Sequence, residues 1–265
     1  MKKYIYADHA ATTRLADEAL EAMLPWLRDG YTNPSQPYSF SRAAKKALAD
    51  ARETIAACIG AQPEEIFFTS GGTESDNWAI KGAALAHSCE ETLITTAFEH
   101  HAVYRAVDAI ERRMYPVVRM HPSTVGRIEP ETLQKYLSDR ISVVSIMLAN
   151  NELGTVQPIK ALCDVVHKHG SVFHTDAVQA VGHIPVDTEE LGVDLLSASA
   201  HKFNGPKGVG FLFIRHGTEI QPYADGGSQE RGMRGGTENV AGIVGMAVAL
   251  KHNCGSTAQL IEKQP

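Results

Sequence analysis

A chain of 265 residues with 31 acidic and 25 basic side chains carries a formal charge of -6. With no long basic run, it is expected to have neither nucleic acid nor a membrane as its main partner. No apolar run approaches a membrane span and no signal-peptide core follows Met1-Lys2-Lys3, so the expectation is a cytoplasmic protein built on one large domain, or a large domain with a fragment of a second.

In chain order, Tyr4-Ile5-Tyr6 reads as a short strand before a polar turn, followed by a helix from Leu15 to Leu27 and another from Ser41 to Ile59, stopped by Gly60. Ile66 to Thr69 reads as a strand. Ser70-Gly71-Gly72-Thr73-Glu74-Ser75 then opens a helix that continues through Trp78-Ala79-Ile80. Further strands are predicted over Leu93 to Thr96, Tyr115 to Arg119, Val143 to Leu148, Val172 to His174, Leu195 to Ser197 and Val209 to Ile214. A helix over Lys160 to Lys168 is closed by Gly170, and one from Glu238 to Lys251 is the last. Asn253 to Pro265 carries neither periodicity over a useful length and is expected to form an atypical, disordered tail. The alternation predicts an α/β fold: a mostly parallel seven-stranded sheet with helices on both faces, its ligand bound beyond the carboxyl ends of the strands.

Cys58, Cys89, Cys163 and Cys254 are scattered without a CxxC pair or a metal-ligand spacing, so free thiols and no metal centre are expected. The chemistry points elsewhere. Ser199-Ala200-His201-Lys202 places a lysine just past a strand in a glycine-rich loop, where desolvation and nearby positive charge would make it a nucleophile. The alternative is a solvated surface lysine. Asp176 ends another strand, where a carboxylate can hold a pyridine nitrogen protonated or simply cap a helix. Gly71-Gly72-Thr73 can bring backbone N–H groups and a hydroxyl to a phosphate.

Seven segments occur in one order: Tyr6-Ala7-Asp8-His9-Ala10-Ala11-Thr12-Thr13, Phe67 through Asn77, Glu99-His100-His101-Ala102-Val103, Asn150 through Ile159, Asp176-Ala177-Val178-Gln179, His201-Lys202 with Gly205-Pro206-Lys207-Gly208, and Gln229 through Thr237. On these the chain resembles the class-V aminotransferases of the NifS/IscS cysteine desulfurase type, a fold-type-I pyridoxal 5'-phosphate family, from about Tyr4 to about Lys251. The resemblance implies that Lys202 bonds to the cofactor aldehyde and later moves the substrate Cα proton. It implies that Asp176 pairs with the ring nitrogen, Gln179 with the ring's 3'-oxygen, and that His100 stacks on the ring and serves as acid or base. Gly72, Thr73, Ser199 and His201 would hold the phosphate, Asn151 would lie near ring and substrate, and Thr237 would reach the neighbouring subunit's phosphate in a homodimer. Lys207 is left as a structural or surface residue.

The same resemblance divides the chain into 1–14 as an N-terminal segment of the small domain, 15–252 as the cofactor-binding large domain, and the atypical tail 253–265. The family's carboxyl-terminal small domain, which bears its persulfide cysteine and substrate-carboxylate arginine, is expected to be absent from this chain, and Cys254 to be a poor substitute. The expected activity is sulfur transfer from L-cysteine, giving alanine, for iron–sulfur cluster or thio-cofactor biosynthesis, with a sulfur-acceptor or scaffold protein as partner. The alternatives are a lyase or aminotransferase that needs no such cysteine, and a cofactor-binding but catalytically impaired homodimer or scaffold module.

Overall fold

Short β-rich runs alternating with helices assemble into one sheet in the computed structural model, which describes residues 5–138 and 140–262. The strands are β1 (Ile66–Thr69), β2 (Thr92–Thr96), β3 (Val117–Met120), β4 (Ile141–Ser145), β5 (Val172–Asp176), β6 (Leu195–Ser199) and β7 (Gly210–Ile214). Their spatial order is β1-β7-β6-β5-β4-β2-β3, and only β7 runs against its neighbours. The expected mostly parallel seven-stranded sheet is therefore present. Six strands deliver their carboxyl ends to one edge, and β7 starts from it.

Side-chain alternation sorts the core into two layers. Ile66, Phe68, Ile94, Val144, Phe173 and Leu196 face one cluster, packed under α2 (Arg42–Cys58), α6 (Ile159–His167) and α8 (Val240–Glu262). Phe67, Leu93, Val143, Leu195 and Leu212 face the other, under α3 (Gly72–Ala86) and α4 (His101–Glu111). The helix α1 (Asp17–Arg28) lies outside, against α8. Among the described residues no helix is long and apolar enough to cross a membrane.

Two expectations fail. The tail is helical as far as Glu262, because nothing breaks the helix after its buried face of Val240, Ile243, Met246, Ala247 and Leu250. Asn253 extends that contact by bonding to Asn204 (3.3 Å). At the other end, Tyr4 lies outside the described residues, and Ile5 and Tyr6 join no strand and are exposed.

Candidate active site

The strand carboxyl ends surround a cavity of about 540 Å³. Of the expected site residues, Gly72, Thr73, His100, Asn151, Asp176, Gln179, Ser199, His201 and Lys202 all line it. Five separate connections supply them, following β1, β2, β4, β5 and β6. Thr237 does not line it. That residue is exposed beside a separate recess of about 110 Å³ that includes Phe68, Arg234 and Asn239.

Lys202 follows β6 in a short 3-10 turn and is half-buried. Its Nζ donates to the carbonyls of Ala10 (2.5 Å) and Ala11 (3.0 Å). Burial lowers its pKa, whereas Asp176 and Asp8 oppose that shift. The expected positive neighbour is thus not what activates it: desolvation is. Segment 10–16 is fastened along this loop, with the Thr13 N–H and hydroxyl both donating to His201 O at 2.9 Å, Asn204 N–H donating to Thr13 Oγ1 (2.7 Å) and Ala16 N–H to Asn204 O (2.9 Å). Gln179 Nε2 donates to Ala10 O (3.0 Å), and His201 Nδ1 lies 3.0 Å from Thr12 Oγ1.

Asp176 closes β5, buried, and its Oδ1 accepts from Val178 N–H (2.9 Å). Burial raises its pKa, while that N–H, His100 and Lys202 pull it down. His100 caps α4, its Nδ1 accepting from Ala102 N–H (3.1 Å). With Nδ1 so engaged, the ring's Nε2 carries the proton. Ligand atoms of Asp76, His100 and Asp176 all lie within 4.8 Å of one another.

Also lining the cavity, Gly71 adopts φ +143°, in the region that favours glycine. A Cβ on Gly72 would sit 2.7 Å from Val178 Cγ2, so the turn after β1 can lie against the β5 connection only because it lacks side chains. The Thr73 side chain and the Ser199 hydroxyl border the resulting cradle at the amino end of α3. The loop bearing Thr237 is tied down by Glu230, which accepts from Arg52 Nη2 (2.7 Å), Arg52 Nη1 (2.9 Å) and Phe68 N–H (2.9 Å). Arg234 Nε adds a bond to Glu74 (2.9 Å).

The class-V aminotransferase model matches residues 5–264. The chain belongs to the class-V aminotransferase family. Among its members, the chain is 51% identical over 252 residues to a cysteine desulfurase IscS of Dictyoglomus turgidum, covering 95% of this chain and 64% of that protein. It is 46% identical over 248 residues to a cysteine desulfurase IscS of Methanosarcina thermophila, covering 93% and 61%. The solved structure of a NifS-like protein superposes with a TM-score of 0.94 at 41% identity, over 98% of this chain and 72% of that one. A structure described as SspA in complex with cysteine gives a TM-score of 0.91 at 39% identity, over 94% and 73%. The chain spans about 64% of the length of the first of these curated relatives. Class-V aminotransferases and cysteine desulfurases are pyridoxal-phosphate enzymes.

Among the described residues no cysteine lines the cavity. Cys254 sits on α8 against α2, its thiol donating to the Cys58 carbonyl (4.0 Å). Several cavity residues had no role in the sequence reading, Lys207 and Asp76 among them. Lys207, expected to be structural or surface, is exposed but borders the cavity. Asp76 lies in its floor, and the signal for it was legible: Ser75, Asp76, Ala79 and Ala83 recur at helical spacing on the buried stripe of α3, where an acid among apolar neighbours needs a reason.

Proposed function

We propose that this chain is the cofactor-carrying part of a pyridoxal 5'-phosphate-dependent cysteine desulfurase, acting on L-cysteine or a related amino acid. One observation carries the reading: a desolvated amine and a buried acid, Lys202 and Asp176, share one cavity with a glycine cradle. The residues fit the cofactor. Gly72, Thr73, Ser199 and His201 would take its phosphate, helped by the amino end of α3. Asp176 would pair with the ring nitrogen and Gln179 with the 3'-oxygen, while His100 and Asn151 would border ring and substrate.

When bound, the cofactor supplies an aldehyde for covalent attachment and a cationic ring that stabilises negative charge at the substrate Cα. Lys202 must first exchange its bonds to the Ala10 and Ala11 carbonyls, and burial makes its neutral, nucleophilic form accessible. The same amine, when free, would be placed to take the substrate Cα proton. Asp176, raised by burial but drawn back toward its ionised form by Val178 N–H, His100 and Lys202, would face the ring nitrogen as its charge partner. His100, with its Nδ1 engaged by Ala102 N–H, offers Nε2–H to the substrate as a proton donor. The thiolate that accepts sulfur comes from outside the described residues, so alanine and persulfide form only when that group is supplied. Thr237, exposed and away from its own cavity, would serve a second copy in a homodimer.

The half-reaction assigned to these residues has its own test. Loaded with cofactor in D2O, the chain should exchange the Cα proton of L-cysteine or L-alanine, read by NMR, without releasing sulfide. A visible absorption band with no exchange would instead favour the catalytically impaired module. Alanine or pyruvate formed from cysteine without sulfur transfer would favour the lyase or aminotransferase reading.

A further inference from the structure

Asp76 has no part in the chemistry assigned above, yet it is 1% exposed and borders the cavity floor. Its Oδ1 is buried without a hydrogen-bond partner. A lone ionised carboxylate in such a place is costly. Asp176 is as deeply buried but differs from it in its partners. Asp176 accepts a backbone N–H and has Lys202 and His100 beside it. Asp76 has only the Ser197 hydroxyl in its favour, and Asp176 and Glu99 against it.

We propose that Asp76 is a positioning residue for Asp176: it stays in the neutral acid form and so keeps the single negative charge of the pair on the carboxyl that meets the ligand. The inference rests on the cofactor reading only for its consequence, a carboxylate reserved for the ring nitrogen.

The groups facing Asp76 from the elements around it agree with this. From β5, His174 Nε2 lies 3.7 Å from Asp76 Oδ1, but burial pushes His174 down to about 3, and its nitrogens meet Ser145 Oγ (2.9 Å) and Ser197 Oγ (3.0 Å). It is therefore neutral and supplies no countercharge. From the turn before α4, Glu99 is pushed by burial up to about 8, with Oε1 accepting from Thr96 Oγ1 (2.6 Å) and Met147 N–H (3.1 Å). Near neutral pH it too is mostly uncharged. His100 and Lys202, the remaining titratable groups, stabilise charge on Asp176. Burial, reinforced by the Asp176 charge, raises the Asp76 pKa well above the carboxylate range. The two acids titrate as a coupled pair, so the proposal concerns which carbon follows which step.

The experiment is a pH titration of the cofactor-free chain labelled with 13C at the aspartate carboxyls. The Asp176 carbon should follow the lower step and the Asp76 carbon the upper. In Asp76→Asn the upper step should vanish, and the Asp176 midpoint should stay within about half a unit, because a neutral neighbour has been replaced by a neutral one. The proposal is overturned if the Asp76 carbon titrates first or if both carbons show the same two-step curve. A fall of about one unit or more in the Asp176 midpoint in Asp76→Asn would overturn it equally. The wild-type titration decides the matter even where the variant does not fold. Because no cofactor is present, a chain that titrates as expected but never binds pyridoxal phosphate would defeat the proposed function and leave the acid pair standing.

Discussion

Lys202→Ala is expected to abolish covalent attachment of pyridoxal phosphate and to slow Cα proton exchange by about 10²- to 10⁴-fold, the usual worth of a positioned general base. The size of the effect follows from the surroundings of the amine. It is half-buried, its pKa is lowered by desolvation, and it shares a cavity with the acid that would face the ring. The phosphate contacts proposed at the glycine cradle and the ring contact proposed at Asp176 do not involve this side chain, so the variant should still take up cofactor non-covalently. Spectra of wild type and variant at equal loading check this. An unchanged band resistant to the substitution would mean that another amine does the work.

The second large effect is on stability. Glu230→Ala is expected to destabilise the chain by about 3–5 kcal/mol, the cost of breaking a buried ion pair from one side. The Glu230 side chain is 2% exposed and that of Arg52 15%. Its loss strands the Arg52 guanidinium over the Phe68 ring, at 4.2 Å, and removes the acceptor of Phe68 N–H. Glu230 and Arg231 also have φ of 44° and 58°, a conformation that side chains adopt only where contacts hold it. The Arg52 bonds hold the first, and Arg231 is held by its bond to Ile66 O (2.9 Å) and its stacking on Phe67 at 3.9 Å. Urea unfolding at fixed protein concentration measures the difference, and a loss below about 1 kcal/mol would place the pair among solvent-screened bridges.

Much of this architecture was legible from alternation alone, since the sheet is buried on both faces and its strands are apolar runs bounded by turns. The misplaced boundaries have physical causes. Pro116 has no N–H to donate, so the strand expected from Tyr115 begins at Val117, although Pro116 O still accepts from Leu93 N–H (2.9 Å). The apolar run Val143 to Leu148 is buried throughout, but the regular ladder ends at Ser145. Ile146 and Leu148 continue with single bonds to His174 O (3.1 Å) and Asp176 O (2.9 Å).

The site was legible at Lys202 and Asp176 because each stands at a strand end, where this topology puts ligands. Asp76 was not given a role, because a helix position reveals its burial only through its neighbours' periodicity. The fastening of Lys202 to Ala10 and Ala11 was out of reach for another reason. It joins residues 191 and 192 positions apart, and no local pattern encodes such a contact.

The most direct measurement is a peptide map of the pyridoxal-phosphate-loaded chain after borohydride reduction. Among the described residues two lysines border the cavity, Lys202 and Lys207, so the map distinguishes between real competitors. The mass of the reduced cofactor should appear on the peptide containing Lys202 and on no other. Label on Lys207, or none on either, would contradict the assignment of the Lys202 amine as the group that receives the cofactor.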